Sequence, residues 1–102
     1  MQESTLISLG DLYVDLIGRR ATRDGVRLDL TAKEFELLDY FLTHASRVLS
    51  RDILLNNVWG YDYFGTTRTV DVHVRRLREK LGTYQKYIHT VKGYGYLFKD
   101  EK

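Results

Sequence analysis

The sequence of 102 residues contains no cysteine and no proline. Without cysteine, the chain has no disulfide, no zinc site built on thiolates and no cysteine nucleophile. Long apolar runs are also missing, because the longest uncharged stretch, residues 53–61, has nine residues. A membrane-spanning helix needs about 20 apolar residues. No basic segment followed by an apolar stretch marks a signal peptide. We therefore expect a cytoplasmic protein without a membrane segment.

Patterns typical of an enzyme are equally sparse. His44, His73 and His89 do not have the spacing of metal ligands. Residues 93–95 lack the third glycine of a dinucleotide-binding loop, and they precede no helix. Asp71 and His73 are two residues apart on a predicted helix, so their side chains diverge. We expect no catalytic residues, no metal and no cofactor.

Positive charge is concentrated in the last third of the chain. Residues 1–66 contain seven Lys and Arg against ten Asp and Glu, whereas residues 67–102 contain nine against four. Such a distribution is typical of a protein with a polyanionic partner, such as nucleic acid. Small domains also often carry uneven charge, so the distribution alone does not decide between these interpretations.

Length and composition predict one globular domain at residues 6–102, preceded by a flexible tail at residues 1–5. Glycines and an Asp-Gly turn divide the following segment into four short strands, at residues 6–9, 12–17, 19–22 and 26–30. In the last strand, Val26, Leu28 and Leu30 alternate with charged residues, as in a half-buried strand. These patterns predict a small antiparallel sheet.

Two helices are predicted after the sheet. Thr31 and Glu34 have the spacing of a capping box, which indicates a helix that ends near residue 44. Its apolar face consists of Phe35, Leu38, Phe41 and Leu42. Residues 48 and 49 form an extended link, and Ser50 is a suitable N-cap for a second helix to about residue 57. Its buried candidates are Ile53, Leu54 and Val58. Residues 59–66 are predicted to form an aromatic loop.

A third helix is predicted from residue 66 or 67 to Leu81, where Gly82 gives a stop signal. Its apolar stripe consists of Val70, Val74, Leu77 and Leu81. The opposite face carries Arg68, Thr69, Val72, Arg75, Arg76 and Glu79, with His73 and Arg78 on its flanks. A hairpin follows at residues 87–98, with Lys92 at its tip.

Such a basic helix face suits the major groove of DNA. Arginine donates two hydrogen bonds to guanine, and the methyl groups of threonine and valine contact the methyl group of thymine. Flanking Arg and Lys side chains neutralise phosphates, and a basic hairpin tip reaches a minor groove or a phosphate. A solvated helix face with local ion pairs is the alternative interpretation for the helix. For the hairpin, the alternative is a lysine in an exposed turn with Tyr96 and Phe98 packed under it.

The order of these elements and five motifs resemble the OmpR/PhoB-type effector domain of bacterial response regulators. The motifs are LTAKEFELL at residues 30–38, VLSR at 48–51, VWGY at 58–61, RTVDVHVRRLREKL at 68–81 and TVKGYGY at 90–96. The resemblance extends over residues 6–98. It implies an α+β winged helix-turn-helix fold with an N-terminal four-stranded antiparallel sheet, three helices and a C-terminal β-hairpin wing.

The resemblance also implies roles for individual residues in sequence-specific binding of double-stranded DNA and regulation of transcription. The helix at about 67–81 would lie in the major groove and the wing at about 91–96 at the minor groove. Base contacts are implied for Thr69, Asp71, Val72 and Arg76. Backbone and wing contacts are implied for Trp59, Arg68, His73, Arg75, Arg78, Thr90, Lys92 and Tyr96. The family often has Arg where this chain has Lys92, and Lys is a more strongly hydrated point charge, which weakens the case for minor-groove readout.

Partners follow from the same resemblance. We expect promoter DNA, bound by two copies on a direct repeat, and a monomer when free. The loop at residues 60–66 would face RNA polymerase through Tyr61, Asp62, Tyr63 and Phe64, unless its aromatic side chains pack on the core. A receiver domain and a sensor kinase would belong to the full-length protein, and we expect the receiver domain to be absent from this chain. The alternatives are a winged-helix protein-interaction module and a non-specific nucleic-acid binder.

Overall fold

The N-terminal part of the chain folds into a four-stranded antiparallel sheet. The computed structural model describes residues 6–99, so the tail predicted at residues 1–5 lies outside the described residues. The strands pair in sequence order, each with the next. They are β1 (Leu6–Leu9), β2 (Leu12–Asp15), β3 (Arg20–Arg23) and β4 (Val26–Arg27). The predicted sheet is therefore confirmed.

Two of the predicted strands are shorter than expected. Strand β2 ends at Asp15, because the Asp15 carboxylate accepts a hydrogen bond from the Gly18 N–H at 2.9 Å and closes a turn. Ile17 is consequently exposed. The prediction of a half-buried strand up to residue 30 was wrong, since β4 has two residues and Val26 is exposed. Leu28 and Leu30 instead pack at the edge of the core.

Helix α1 (Ala32–Thr43) begins as predicted. The Thr31 hydroxyl accepts from the Glu34 N–H, and the Glu34 carboxylate accepts from the Thr31 N–H, so the capping box is confirmed. Its predicted apolar residues are buried, apart from a half-buried Leu42, and Leu37 and Glu34 are buried with them. Glu34 is the one buried charged side chain among residues 6–99.

Helix α2 (Arg51–Leu54) is capped by Ser50, whose hydroxyl accepts from the Ile53 N–H at 3.1 Å. The helix continues as a wider π-helical turn, Leu55–Trp59, so Trp59 belongs to the helix and not to the following loop. Leu54 and Val58 are buried as predicted, but Ile53 is exposed. Successive helical residues point about 100° apart, so Ile53 faces away when Leu54 faces the core.

Helix α3 (Arg68–Leu81) precedes a 3₁₀ segment, Gly82–Tyr87, and a second sheet. That sheet has the order β5-β7-β6 and consists of β5 (Leu49–Ser50), β6 (Ile88–Val91) and β7 (Gly95–Phe98). Strands β6 and β7 form the predicted hairpin, which we call the wing. The predicted extended link is in fact β5, paired with β7 at Leu49 and Ser50.

The core lies between the helices and both sheets. It includes Leu12 and Val14 of β2, the apolar face of α1 and Phe98 of β7. The whole predicted stripe of α3 is buried in it. These elements form the α+β winged helix-turn-helix architecture. In the described part of the chain, no helix is both long and apolar enough to cross a membrane.

Candidate nucleic-acid interface

The buried stripe of α3 determines which of its residues face solvent. Arg68, Arg75 and Arg76 are exposed, and Thr69 and Val72 are half-buried on the same side. A shallow groove between these side chains is lined by Arg68, Asp71, Val72 and Arg75. The groove thus combines two arginines, a carboxylate and the apolar side chain of Val72, a mixture that fits the edges of base pairs flanked by phosphates.

Asp71 is held from two sides. Its carboxylate oxygen Oδ1 accepts a hydrogen bond from Arg51 Nε at 2.8 Å and another from the Tyr96 hydroxyl at 2.5 Å. The hydrogen bond to Asp71 raises the pKa of Arg51 above its ordinary value. Burial raises the pKa of Tyr96, and the hydrogen bond to Asp71 raises it further. Asp71 therefore joins α2, α3 and the wing.

Tyr96, for which a DNA backbone or wing contact was implied, lies in the wing strand β7. Its side chain is only 5% exposed, because it packs in the core with Phe98. A buried ring whose hydroxyl already donates to a carboxylate is not available to a phosphate in this conformation. The structure thus places Tyr96 behind the candidate interface, where it supports α3.

Arg78 connects α3 to the wing. Its Nε and Nη2 donate to the Ile88 carbonyl oxygen at 3.2 and 2.7 Å, and Nη2 also donates to the Thr90 hydroxyl at 2.7 Å. Burial lowers the pKa of Arg78 from its ordinary value. Thr90 itself is exposed. These bonds occupy much of the guanidinium group and fix strand β6 beside α3.

Trp59 and His73 form a small aromatic contact at the N-terminal half of α3. Their ring centroids are 5.0 Å apart in an edge-to-face arrangement. His73 Nδ1 lies 2.8 Å from the Thr69 carbonyl oxygen, so this nitrogen carries the hydrogen and Nε2 is left for other partners. Lys33 Nζ lies 6.0 Å from the Trp59 ring centroid and adds positive charge nearby.

The tip of the wing is exposed. Residues 92–94 form its turn, which is closed by a hydrogen bond from the Tyr94 N–H to the Val91 carbonyl oxygen at 2.9 Å. Lys92 stands in this turn, as predicted. Arg78 and Tyr96 tie both wing strands to α3, and Lys92 is exposed in the turn that joins these strands.

The loop at residues 60–66 presents its side chains to solvent. Tyr61 and Phe64 are almost completely exposed, Asp62 is exposed, and Tyr63 lies with its ring 6.4 Å from that of Trp59. The alternative in which these aromatic side chains pack on the core is therefore wrong for Tyr61 and Phe64. Adjacent exposed aromatic side chains are a common feature of protein-binding surfaces.

Sequence reasoning missed Arg51 and Lys80. Arg51 reaches Asp71 across 20 residues of sequence, and Lys80 reaches the buried Glu34 across 46 residues. These separations are far longer than the few residues over which side chains of one helix or strand meet, so the sequence carries no local signal for these pairs. Within residues 6–99, no cluster of three His, Asp or Glu side chains is arranged to hold a metal ion.

Comparisons with known proteins agree with this architecture. Residues 25–98 match the family described as "Transcriptional regulatory protein, C terminal". The chain is 43% identical to the transcriptional regulatory protein CusR of Escherichia coli K12 over 93 residues, which cover 89% of this chain and 41% of CusR. It therefore spans less than half the length of that relative.

Two solved structures have the same fold. The Klebsiella pneumoniae RstA DNA-binding domain, solved in complex with its RstA box, is 38% identical with a TM-score of 0.82, covering 94% of this chain and 98% of that chain. DrrB of Thermotoga maritima, a response regulator described as an OmpR/PhoB homologue, is 33% identical with a TM-score of 0.85. That match covers 93% of this chain and 44% of DrrB. The protein thus belongs to the family of C-terminal domains of transcriptional regulatory proteins, of the OmpR/PhoB type found in response regulators.

Proposed function

We propose that this domain binds double-stranded promoter DNA in a sequence-specific manner and regulates transcription. The observation that carries the proposal is the arginine-rich face of α3, which is exposed because the opposite stripe is buried. Family membership supports it, and the RstA DNA-binding domain, which has the same fold, was solved in complex with the RstA box. A protein-interaction module would not need three exposed arginines on one helix.

In this proposal, α3 enters the major groove. Arg76 donates to a guanine, and the methyl groups of Thr69 and Val72 contact thymine. The Asp71 carboxylate, half-exposed beside them, accepts from a cytosine amino group while Arg51 and Tyr96 hold it in place. Arg68 and Arg75 neutralise phosphates on either side of the groove.

The wing contributes a second contact. Lys92 reaches the phosphates that border the adjacent minor groove, because the wing is held beside α3. Thr90, Arg78, His73 and Trp59 lie between these two regions, where they contact the DNA backbone or support residues that do. In this proposal Tyr96 does not contact the DNA, because its side chain is buried.

A single copy of this domain covers limited DNA surface, and small modules of this kind bury about 600–1,000 Å² of protein. We propose that two copies bind in tandem on a direct repeat and that the free domain is monomeric. In a longer protein of the length of CusR or DrrB, located in the cytoplasm, a receiver domain and a sensor kinase would control this pairing.

We further propose that the loop at residues 60–66 contacts RNA polymerase. The support is the exposure of Tyr61 and Phe64, which would otherwise cost solubility without a benefit to folding. Phe64→Ala should leave unfolding temperature and DNA affinity unchanged and lower transcription from a bound promoter in vitro. Unchanged transcription, with DNA binding intact, would remove the loop from the proposal.

The test of DNA binding is selection from a random pool of double-stranded DNA, at about 50 mM and about 150 mM salt, followed by sequencing. Enrichment of a short motif in direct repeat is the expected result. Retention at low salt without an enriched motif would leave a non-specific nucleic-acid binder, because counterion release does not depend on sequence. No retention at either salt would refute DNA binding altogether.

A further inference from the structure

Tyr96 lies where three charged side chains from two helices meet. Its hydroxyl donates to Asp71 of α3, and its ring centroid lies 5.3 Å from the Arg51 guanidinium carbon and 5.5 Å from that of Arg78. Within the second sheet, Tyr96 is in the central strand, opposite Leu49 of β5 and Thr90 of β6. The Tyr96 side chain thus contacts both α2 and α3, while its backbone lies between β5 and β6.

The hydroxyl group has no role in packing. A phenylalanine ring would fill the same space, whereas a buried hydroxyl loses its water and needs a partner. Here the partner is a carboxylate on the helix that faces the groove, and a hydrogen bond to a charged acceptor is stronger than a neutral one. The bond therefore joins the wing to α3 at a defined point.

We propose that the Tyr96 hydroxyl is a positioning group that sets the wing at a fixed distance and angle from α3, so that both reach the DNA together. This inference rests on the proposed DNA binding. The turn at Gly93 is three residues from Tyr96, about 10 Å along a strand, so a small tilt at Tyr96 moves Lys92 by an appreciable fraction of a groove width. Arg78 ties β6 to α3, and the Tyr96 hydroxyl ties β7 to Asp71 of the same helix, in addition to the pairing of β7 with β5 and β6.

The experiment is a double-mutant cycle between Tyr96→Phe and Lys92→Ala, measured as DNA affinity against salt concentration. Tyr96→Phe should weaken binding to the best site about fivefold, the equivalent of one hydrogen bond, because the wing must then be ordered beside α3 when DNA binds. In the wild-type background, Lys92→Ala should reduce the slope of log binding constant against log salt concentration by about one. In the Tyr96→Phe background, the same substitution should reduce this slope by less than half as much. Tyr13→Phe is the matched control, because Tyr13 is exposed on the N-terminal sheet.

Additive effects of the two substitutions, or a Tyr96→Phe effect no larger than that of Tyr13→Phe, would overturn the inference. Hydrogen exchange of the free protein provides a second readout that needs no DNA. Tyr96→Phe should raise exchange at the wing amides at least fivefold and leave α1 unchanged. If the wild type fails to bind DNA, the proposed function is wrong, and the exchange rates still decide whether Tyr96 fixes the wing. Unchanged wing exchange would refute that role.

Discussion

The ion pair between Lys80 and Glu34 gives the sharpest test of how this fold is held together. Glu34 is 2% exposed, and its Oε1 accepts from Lys80 Nζ at 2.6 Å and from the Thr31 N–H at 2.9 Å. Lys80 also donates to the Asp29 carbonyl oxygen at 2.8 Å. One lysine thus connects the end of α3 to the start of α1 and to the segment after the N-terminal sheet.

We expect Lys80→Met to lower the free energy of unfolding by about 3 kcal/mol at pH 7. Removing one partner of a buried ion pair costs about 3–5 kcal/mol. The lower value applies because Lys80 is 35% exposed, so water can approach the carboxylate, and because the Thr31 N–H bond remains. For a domain of this size, the unfolding temperature should fall by about 12–24 °C.

The contribution of the Glu34 carboxylate to stability at neutral pH should change sign between the wild type and Lys80→Met. Burial raises the pKa of Glu34, but the hydrogen bonds from Lys80 and Thr31 and the charge of Lys80 together lower it below its ordinary value of 4.5. The wild type therefore gains stability from Glu34 at neutral pH and loses it as the pH falls through the lowered pKa. Without Lys80, burial is the largest influence left on the pKa of Glu34, and we expect it to raise that pKa. The deficit of Lys80→Met should then be largest at neutral pH and shrink as the pH falls toward about 4.5.

Urea unfolding between pH 4.5 and pH 8 measures both effects. Lys99→Met is the matched control, because Lys99 is exposed near the end of the described chain. Glu34→Gln combined with Lys80→Met should recover at least half of the loss, since the glutamine amide oxygen still accepts from Thr31 and carries no charge. A loss equal to that of Lys99→Met, or one that is constant with pH, would refute the reasoning.

Three further predictions concern the interface and the wing. Arg76→Ala should cost about 1–3 kcal/mol of binding to the best DNA site and relax the preference at one or two bases; an equal loss on all sequences would mean a phosphate contact. Lys92→Ala should reduce the slope of log binding constant against log salt concentration by about one, the value for one phosphate contact, without altering the selected motif. An unchanged slope would mean that the wing does not contact the DNA. Gly95→Ala should lower the unfolding free energy by about 3 kcal/mol, because the added methyl group would overlap the carbonyl oxygen of Leu49 in β5. Gly93 has a φ of +77° but open space around it, so Gly93→Ala should lower the unfolding free energy by only about 1 kcal/mol. Equal losses for Gly93→Ala and Gly95→Ala would refute the overlap at Gly95.

Local signals in the sequence determined the elements of this fold. Thr31 and Glu34 fixed the start of α1, because a capping box needs only residues three apart. The stripe from Val70 to Leu81 fixed which side of α3 is buried and therefore which arginines are exposed. The terminal hairpin and the family resemblance followed from equally local motifs.

Tertiary structure decided the contacts between elements. No spacing in the sequence links Tyr96 to Asp71, or Lys80 to Glu34, because these pairs meet only after β7 and α3 have packed against the rest of the chain. The pairing of β5 with β7 has the same origin, and so does the burial of Tyr96, for which the sequence allowed either a DNA contact or packing beneath the wing turn. Periodicity and capping act over a few residues, so they specify helices, strands and faces. The position of one face relative to another depends on packing across the whole core, which a single sequence does not display.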